Sequence, residues 1–232
     1  MNELALFAGI GGGILGGKLL GWRTVCAVER DAYCREILLR RQEDGSLEPF
    51  PVWDDVRSFD GKPWRGKVDI VTAGFPCQPF SVAGEQKGED DERNMWPDTI
   101  RIIREVGPRW VLLENVPGLL VYQYTHAIFG ELAEMGYDCR WGCISAASVG
   151  ANHRRDRLWI LADADRMRKS QQEGGKQDQR GWVGDGGWWD VEPDVGRVAH
   201  GTAFRMDRIR ALGNAQVPAV VRQAWNLLSD QW

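Results

Sequence analysis

FAGIGGG (residues 7–13) is a glycine-rich turn between a predicted strand, Leu4–Phe7, and a predicted helix, Ile14–Leu20. Glycines at such a turn let backbone approach a ligand closely and let the helix pack against the sheet. The amides at the helix N-terminus can then hold a carboxylate or another anion. The stretch predicts the first β-α unit of an open α/β sheet, either as a ligand site or as a tight turn without a ligand.

An acidic residue in register with this turn favours a nucleoside ligand. Glu29 ends the second predicted strand, twenty residues after Gly9, where a carboxylate suits a ribose diol. Asp55, after the apolar pair Val52–Trp53, can accept a hydrogen bond from an adenine amino group. The pattern leaves both NAD and S-adenosylmethionine open. A triphosphate is disfavoured because no lysine follows the glycines at P-loop spacing.

Strands and helices alternate over the first two thirds of the chain. Strands are predicted at Leu4–Phe7, Thr24–Val28, Val68–Thr72, Val111–Glu114, Tyr137–Ile144 and Leu158–Ala162, and helices at Ile14–Leu20, Ala32–Arg41, Met95–Val106, His126–Met135 and Pro218–Leu228. This rhythm predicts an α/β fold with a Rossmann-like, mostly parallel sheet and helices on both faces. From about Asp163 the alternation of strands and helices ends, and a segment rich in Gly, Gln, Asp and Trp follows.

Composition narrows the class of protein. The 232 residues are 43% apolar, which suffices for one sizeable core. No apolar run is long enough for a membrane span, and the N-terminal residues do not read as a signal peptide, so we expect a cytoplasmic protein. Five cysteines without a CxxC pair argue against a disulfide framework or a zinc site. The net charge of −4 still allows a basic cleft, because arginines cluster at residues 154–168 and 205–210.

In the stretch GFPCQPFS (residues 74–81), one cysteine lies between two prolines. A zinc deaminase would need PCxxC and HxE, which are missing around Cys77. A hydrolase of the Cys–His type would need a base from His126, His153 or His200. A third chemistry is addition of the thiolate to C6 of cytosine, which makes the weakly nucleophilic C5 reactive. That chemistry requires an acid near N3 and cations that hold the base.

Two further motifs supply those groups. WVLLENVPG (residues 110–118) predicts Glu114 at the C-terminal edge of a central strand, where open α/β sheets bind ligands. In HRRDRLWIL (residues 153–161), Arg155 and Arg157 alternate along one predicted strand face, so that both guanidinium groups point the same way. Their charge would also favour the thiolate. Alternatively, Glu114 caps a turn and the arginines are surface charges of an edge strand.

Together these motifs, in this order, resemble those of the DNA cytosine-5 methyltransferases over nearly the whole chain. LFAGIGGG is similar to the family's cofactor motif, GFPCQPFS to its nucleophile loop, and ENV (114–116) to its acid motif. GEQKGEDDERNMW (84–96) resembles the segment after the nucleophile loop, HRRDR (153–157) resembles QxRxR, and ALGNAQVP (211–218) resembles the last motif. The combination is specific, although each piece alone would be weaker.

The resemblance implies methyl transfer from S-adenosylmethionine to C5 of a flipped cytosine in double-stranded DNA, with no metal. The implied catalytic residues are Cys77, which attacks C6, Glu114, which engages N3, and Arg155 and Arg157, which stabilise the base. The implied cofactor residues are Phe7, Ala8, Gly9, Ile10, Gly11, Glu29, Asp55, Val56, Pro76, Met95, Asn214 and Ala215. The implied DNA-binding residues are Gln78, Ser81, Arg93 and Asn115.

The resemblance also implies a division of the chain. Residues 1–162 with 207–232 would form the catalytic domain, in which the last helix packs beside the first motif, and 163–206 would form a small irregular target-recognition insert. We expect a monomer from a prokaryotic or phage-infected cell. Restriction-modification is one role the resemblance suggests, while a partner restriction enzyme and the recognition sequence are not deducible.

Three departures from the family pattern and two rival functions accompany this interpretation. Ala5 stands where an acidic residue is usual, Arg30 where an aromatic residue often covers the adenine, and His153 where glutamine is usual. The departures at Ala5 and Arg30 can weaken cofactor binding, and none of the three removes a reacting group. One rival is a DNA-binding homologue without catalysis. The other is a Rossmann oxidoreductase, which leaves ENV and RRDR unexplained.

Overall fold

A seven-stranded sheet forms the centre of the molecule. The computed structural model describes residues 1–76, 94–121, 124–164 and 205–230. Its strands are β1 (Asn2–Leu6), β2 (Arg23–Val28), β3 (Val52–Trp53), β4 (Ile70–Ala73), β5 (Trp110–Asn115), β6 (Asp138–Ser145) and β7 (Asp156–Asp163). They lie in the order β3-β2-β1-β4-β5-β7-β6. The pairs among β1 to β5 are parallel, whereas β7 is antiparallel to both β5 and β6. The predicted mostly parallel α/β sheet is confirmed.

Helices cover both faces of this sheet. Among the described residues they are α1 (Gly12–Leu19), α2 (Ala32–Glu43), α3 (Trp96–Val106), α4 (Tyr124–Glu134), α5 (Arg205–Asn214) and α6 (Pro218–Ser229). Local signals set several of their ends. The Asp31 side chain caps α2 by accepting a hydrogen bond from the amide of Cys34, and α3 ends at Gly107, whose φ of 60° closes the last turn.

The strands are apolar on both sides, because each face is covered by helices. On one face, Leu4, Val71 and Leu113 pack in a large cluster with residues of α3 and α4. On the other face, Ala5 and Ala27 pack with α1 and α2, and Ile70 and Leu112 pack with α6. Burial on both faces holds β1, β4 and β5 in the middle of the sheet, so the position of their ends is rigidly defined.

The parallel strands direct their carboxyl ends to one edge of the sheet. The turn after β1, the end of β2, the segment after β4 and the end of β5 therefore lie together there. This is the edge at which open α/β sheets bind ligands.

One strand and one α-helix of the described residues are missing from the sequence prediction, as are the short 3-10 helices Lys62–Trp64, Pro117–Val121 and Ala146–Val149. The strand β3 has only two residues, Val52 and Trp53, too few to show an alternating pattern. The helix α5 has the sequence RMDRIRALGN, whose apolar residues make no clear stripe, and Met206 and Leu212 are exposed. Nearly all of the predicted insert, 163–206, lies outside the described residues. Of the helices that the structure describes, none combines the length and apolarity needed to cross a bilayer.

Candidate active site

A cavity of about 770 Å³ opens at the carboxyl edge of the sheet. Eight of the predicted cofactor residues line it, namely Phe7, Gly9, Glu29, Asp55, Val56, Pro76, Met95 and Asn214. Glu114, Asn115, Arg155 and Arg157 line the same cavity. Ala8 and Ala215 line a smaller cavity next to it. The fold thus brings together residues that are more than 200 positions apart in the chain.

Ile10 and Gly11, which were predicted to contact a cofactor, line neither of these two cavities. The side chain of Ile10 packs with Cys34 and Ala211, and its carbonyl oxygen accepts a hydrogen bond of 2.6 Å from Arg41. Gly11 caps α1 with a φ of 87°, a conformation that favours glycine. Both residues shape the turn, while Phe7 and Gly9 face the cavity.

Glu29 holds the glycine turn and the start of α2 through its carboxylate. Its Oε2 accepts a hydrogen bond of 2.6 Å from the amide of Gly9, and its Oε1 accepts one of 2.7 Å from the amide of Asp31. Burial raises the pKa of Glu29, although both backbone hydrogen bonds oppose that rise. A carboxylate has about four acceptor sites, so it can still bind a diol at the cavity wall.

Asp55 is held as an anion by Arg57. The Nη2 atom of Arg57 lies 2.6 Å from Oδ2 of Asp55, and this pairing lowers the pKa of Asp55 to about 2. The Nε atom of Arg30 lies 4.0 Å from the same oxygen. Any ligand group that binds Asp55 therefore shares the carboxylate with Arg57, and it meets the exposed Arg30 side chain nearby.

Glu114 ends β5 with its carboxyl group buried in the cavity wall. The residue is 8% exposed, and its Oε1 lies 2.9 Å from Nε of Arg157. The side-chain amide of Gln216 forms a further hydrogen bond with this carboxyl group. Burial raises the pKa of Glu114 and outweighs Arg157, Arg155 and Gln216, which all lower it. The group is therefore disposed to carry a proton.

The observed position of Arg155 differs from the predicted one. The strand β7 begins at Asp156, and Arg155 precedes it with a φ of 36°, so the expected alternation of Arg155 and Arg157 along one strand is wrong. Its guanidinium donates hydrogen bonds to the carbonyl oxygens of Gly213 (2.5 Å) and Ala215 (2.7 Å). Both arginines still line the cavity. The hydrogen bonds of Arg155 also hold the segment that leads into α6.

Backbone strain is concentrated at this cavity. Among the described residues, the non-glycine residues with positive φ are Phe7 and Arg155, and both line the cavity. Such conformations cost on the order of 1–3 kcal/mol each and persist where the surrounding structure holds them in place. Their position indicates that the cavity is a functional site.

Asn115 connects the end of β5 to the segment that leads to Cys77, the cysteine between two prolines. Its side chain is 5% exposed, and its Nδ2 donates a hydrogen bond of 3.1 Å to the carbonyl oxygen of Phe75. The observed contact fixes the backbone two residues before Cys77, and the predicted DNA contact of Asn115 stays a prediction. Four other predicted site residues lie outside the described residues, namely Cys77, Gln78, Ser81 and Arg93.

The sequence prediction missed Gln216 and the pair formed by Arg210 and Asp31. Gln216 lies within the quoted stretch ALGNAQVP, but nothing in the local pattern shows that it reaches Glu114. Arg210 of α5 forms an ion pair with Asp31 at the start of α2, and both residues line the cavity. The two contacts attach the C-terminal segment to the start of α2 and to the end of β5.

Two further features define the chemistry of the cavity. Cys34 also lines it, but burial raises the pKa of this thiol to about 12, which disfavours the reactive thiolate form. In the part of the chain that the structure describes, no group of three or more His, Cys, Asp and Glu side chains is placed to hold a metal ion.

Comparison with known proteins defines the family. Residues 1–181 match the family model of the C-5 cytosine-specific DNA methylases. This match covers more than half of the chain, so the protein belongs to the C-5 cytosine-specific DNA methylase family. Such enzymes use S-adenosylmethionine as the methyl donor.

Curated relatives agree with this assignment. The chain is 36% identical over 165 residues to type II methyltransferase M.NgoMIV of Neisseria gonorrhoeae, an alignment covering 69% of this chain and 51% of the relative. It is 35% identical over 163 residues to type II methyltransferase M.CviJI of Paramecium bursaria Chlorella virus IL3A, covering 69% and 42%. The chain thus spans about half the length of these relatives, or less.

The fold is also found in solved structures. The Dnmt2 methyltransferase of S. pombe superposes with a TM-score of 0.59 at 22% sequence identity, covering 79% of this chain and 53% of that chain. At this identity the likeness describes the fold alone.

Proposed function

We propose that this protein transfers a methyl group from S-adenosylmethionine to C5 of a cytosine in double-stranded DNA. The observation that supports this most strongly is the meeting of two sets of residues in one cavity. Gly9 and Glu29 form one wall, while Glu114, Arg157 and Pro76, the residue directly before Cys77, form the other. Membership of the cytosine-5 family supplies the reaction class.

The residues of the first wall fit S-adenosylmethionine. The cavity volume of about 770 Å³ lies within the roughly 300–1,000 Å³ of small-molecule sites. Apart from the two neighbouring residues, no described atom lies within 4 Å of the position that a Cβ on Gly9 would take, so the backbone there is open to a ligand. We infer that Glu29 binds the ribose diol, that Asp55 accepts from the adenine amino group, and that the planar guanidinium of Arg30 covers the adenine face.

The residues of the second wall fit an extruded cytosine. S-adenosylmethionine supplies an electrophilic methyl group at its sulfonium. The Cys77 thiolate forms a bond to C6, and Glu114 donates its proton to N3, so that the electron pair of the C5–C6 double bond becomes available at C5. Arg157 holds the Glu114 carboxyl group and the base. C5 then forms a bond to the methyl carbon while the methyl–sulfur bond breaks, which leaves S-adenosylhomocysteine. A base, for which we propose water, removes the C5 proton, the C5–C6 double bond re-forms as the S–C6 bond breaks, and N3 returns its proton to Glu114.

DNA recognition draws on residues outside this cavity. The target base must leave the stack, because its C5 and C6 faces are covered inside a duplex. We propose that Gln78, Ser81 and Arg93 contact the DNA and that 163–206 selects the sequence. In this proposal Asn115 acts by holding the Phe75 backbone. The protein would work as a monomer in the cytoplasm of a prokaryotic or phage-infected cell, with a restriction-modification role as the names of its relatives suggest.

The test uses labelled S-adenosylmethionine and DNA of mixed sequence. We expect label at cytosine C5 with the wild-type protein and none with Cys77→Ala. DNA that contains 5-fluorocytosine should trap a covalent adduct on the wild type, because fluorine cannot leave as a cation. Cys143→Ala is the matched control, since this half-buried thiol lies on the edge strand β6, and it should keep both methyl transfer and adduct formation.

Two outcomes would contradict the proposal. An adduct that persists in Cys77→Ala would show that another nucleophile acts. DNA binding without any methyl transfer by the wild type would instead support a catalytically inactive homologue.

A further inference from the structure

Gln216 lies in a socket that three glycines form between the first turn and the end of β4. A Cβ placed on Gly12 would lie 2.1 Å from the backbone oxygen of Gln216. A Cβ on Gly13 would lie 2.5 Å from its side-chain Oε1, and one on Gly74 would lie 2.8 Å from its Nε2. Real Cβ atoms do not approach other atoms so closely. The three glycines therefore make room for this one side chain.

The socket directs the amide of Gln216 at the acid. A Cβ on Gly74 would lie 2.8 Å from Nε2 of Gln216 and 3.0 Å from Oε2 of Glu114. Both atoms thus lie close to the same point, and the two side chains share a hydrogen bond. Arg157 approaches the other oxygen, Oε1, at 2.9 Å. The two carboxyl oxygens of Glu114 are thus held by two different residues, from β7 and from the segment before α6.

The backbone around Gln216 is fixed as well. Arg155 donates hydrogen bonds to the carbonyl oxygens of Gly213 and Ala215, and the α6 helix that follows packs against α1 through Gly16 and Val221. A glutamine held on both sides has little rotational freedom left to lose, so its hydrogen bond can define the orientation of the partner carboxyl group.

We propose that Gln216 is a positioning residue that sets the orientation of the Glu114 carboxyl group toward the target base. The inference rests on the proposed function, in which Glu114 donates a proton to N3. Orientation matters there because misplacement by about 1 Å can cost on the order of a hundredfold in rate. Since a donor favours the ionised carboxyl group, Gln216 also opposes the effect of burial on the pKa of Glu114.

Other charged groups also affect the pKa of Glu114, and a substitution at Gln216 does not change them. Arg157 and Arg155 face it from β7 and from the turn before that strand. The remaining charged residues that line the cavity are Glu29, Arg30, Asp31, Asp55 and Arg210. A change at Gln216 leaves all of these in place, so a shift in the titration of Glu114 reports on the amide.

The test compares Gln216→Met, which keeps the length of the side chain but removes the donor, with Gln223→Met on α6 as the matched control. We expect kcat for methyl transfer to fall about tenfold to a hundredfold in Gln216→Met, with KM for S-adenosylmethionine changed less than about threefold. The alkaline limb of the kcat profile should move to higher pH. Gln223→Met should match the wild type in all three measurements.

A second measurement requires neither DNA nor cofactor. Carbon-13 NMR of the glutamate carboxyl groups, with Glu114 assigned through Glu114→Gln, should show a higher pKa for Glu114 in Gln216→Met than in the wild type. If Gln216→Met does not fold, Gln216→Glu replaces it and should raise the pKa further, because two carboxylates repel.

The outcomes separate this inference from the proposed function. A wild type without methyl transfer would contradict the proposed function, and the NMR titration would still decide whether Gln216 acts on Glu114. An active wild type, combined with an unchanged kcat profile and an unchanged pKa in Gln216→Met, would overturn the inference alone. A loss of cofactor affinity with no shift in either pH measurement would also overturn it, since that is the result expected of a purely structural residue.

Discussion

Burial and charge act in opposite directions on the Glu114 carboxyl group. Arg157 and Arg155 both favour its ionised form, and so does the hydrogen bond from Gln216. Desolvation at the end of a central strand is the larger effect, and the pKa of Glu114 is raised. A carboxyl group with a raised pKa is suited to donate a proton near neutral pH.

Replacing Glu114 by Gln tests this role. The substitution keeps the shape of the side chain but removes the transferable proton, so kcat should fall by about 10²–10⁴. The Kd of S-adenosylmethionine, measured by calorimetry, should stay unchanged. Because the protonated form of Glu114 is the active one, wild-type kcat should decrease as the pH rises through its raised pKa, and the variant should lack that limb.

The control is Glu134→Gln at the exposed end of α4, which should retain wild-type kinetics. Wild-type turnover by Glu114→Gln would exclude the proposed role of Glu114 as the acid.

At the scale of elements, the helices α1 and α6 pack so closely that only glycine fits at the contact. A Cβ on Gly16 would lie 2.4 Å from the Cβ of Val221, and Val221 is fully buried in the core of that face. The glycines after β1 therefore have two roles. Gly9 leaves space at the cavity, whereas Gly12, Gly13 and Gly16 accept the C-terminal segment, as expected if the last helix packs beside the first motif.

Replacing Gly16 by Ala should separate these helices and lower the free energy of unfolding by about 1–3 kcal/mol, because overpacking strains the core. The matched control is Gly130→Ala in α4, where no described atom outside the neighbouring residues and the backbone of the helix itself lies within 4 Å of the new Cβ. That change should raise the free energy of unfolding by about 0.5–1 kcal/mol, since alanine favours a helix more than glycine does. Urea unfolding measures both, and equal effects of the two substitutions would contradict the close packing of α1 and α6.

At the scale of the whole molecule, stability should depend on pH through a buried carboxyl group that does not line the cavity. Glu3 in β1 is 0% exposed. Its carboxyl oxygens accept hydrogen bonds from Thr24 (2.7 Å) and Thr72 (2.8 Å), which tie β2 and β4 to β1. Burial raises its pKa despite these two donors.

The sign of the effect follows from proton binding. In the pH range between the unfolded and the folded pKa of Glu3, the native state holds a proton that the unfolded state has released. The contribution of Glu3 to stability is complete below its ordinary pKa and is lost as the pH rises through the raised pKa of the folded state. Glu3→Gln removes this titration and keeps an acceptor for one threonine.

We therefore expect the free energy of unfolding of Glu3→Gln, relative to the wild type, to be higher at about pH 8 than at about pH 5. Urea unfolding at both pH values gives this difference. If the difference in free energy of unfolding between Glu3→Gln and the wild type does not change with pH, Glu3 binds no proton on folding.

The sequence by itself determined the fold class and the strand-end position of the acid. Apolar periods and glycine turns are local signals, and parallel strands bring their carboxyl ends to one edge, so Glu29 and Glu114 could be placed at a common site. The same signals could not find β3 or α5, because one is too short for a period and the other has too weak an apolar stripe.

Only the tertiary structure decided what the side chains at that edge contact. Arg155 binds carbonyl oxygens 58 and 60 residues away, Asn115 binds Phe75 at a distance of 40 residues, and Gln216 reaches Glu114 across the socket of three glycines. Such contacts depend on how α6 packs on α1 and on where β7 enters the sheet. A hydrogen bond between distant segments leaves no periodic trace in either one, so no local pattern could predict it.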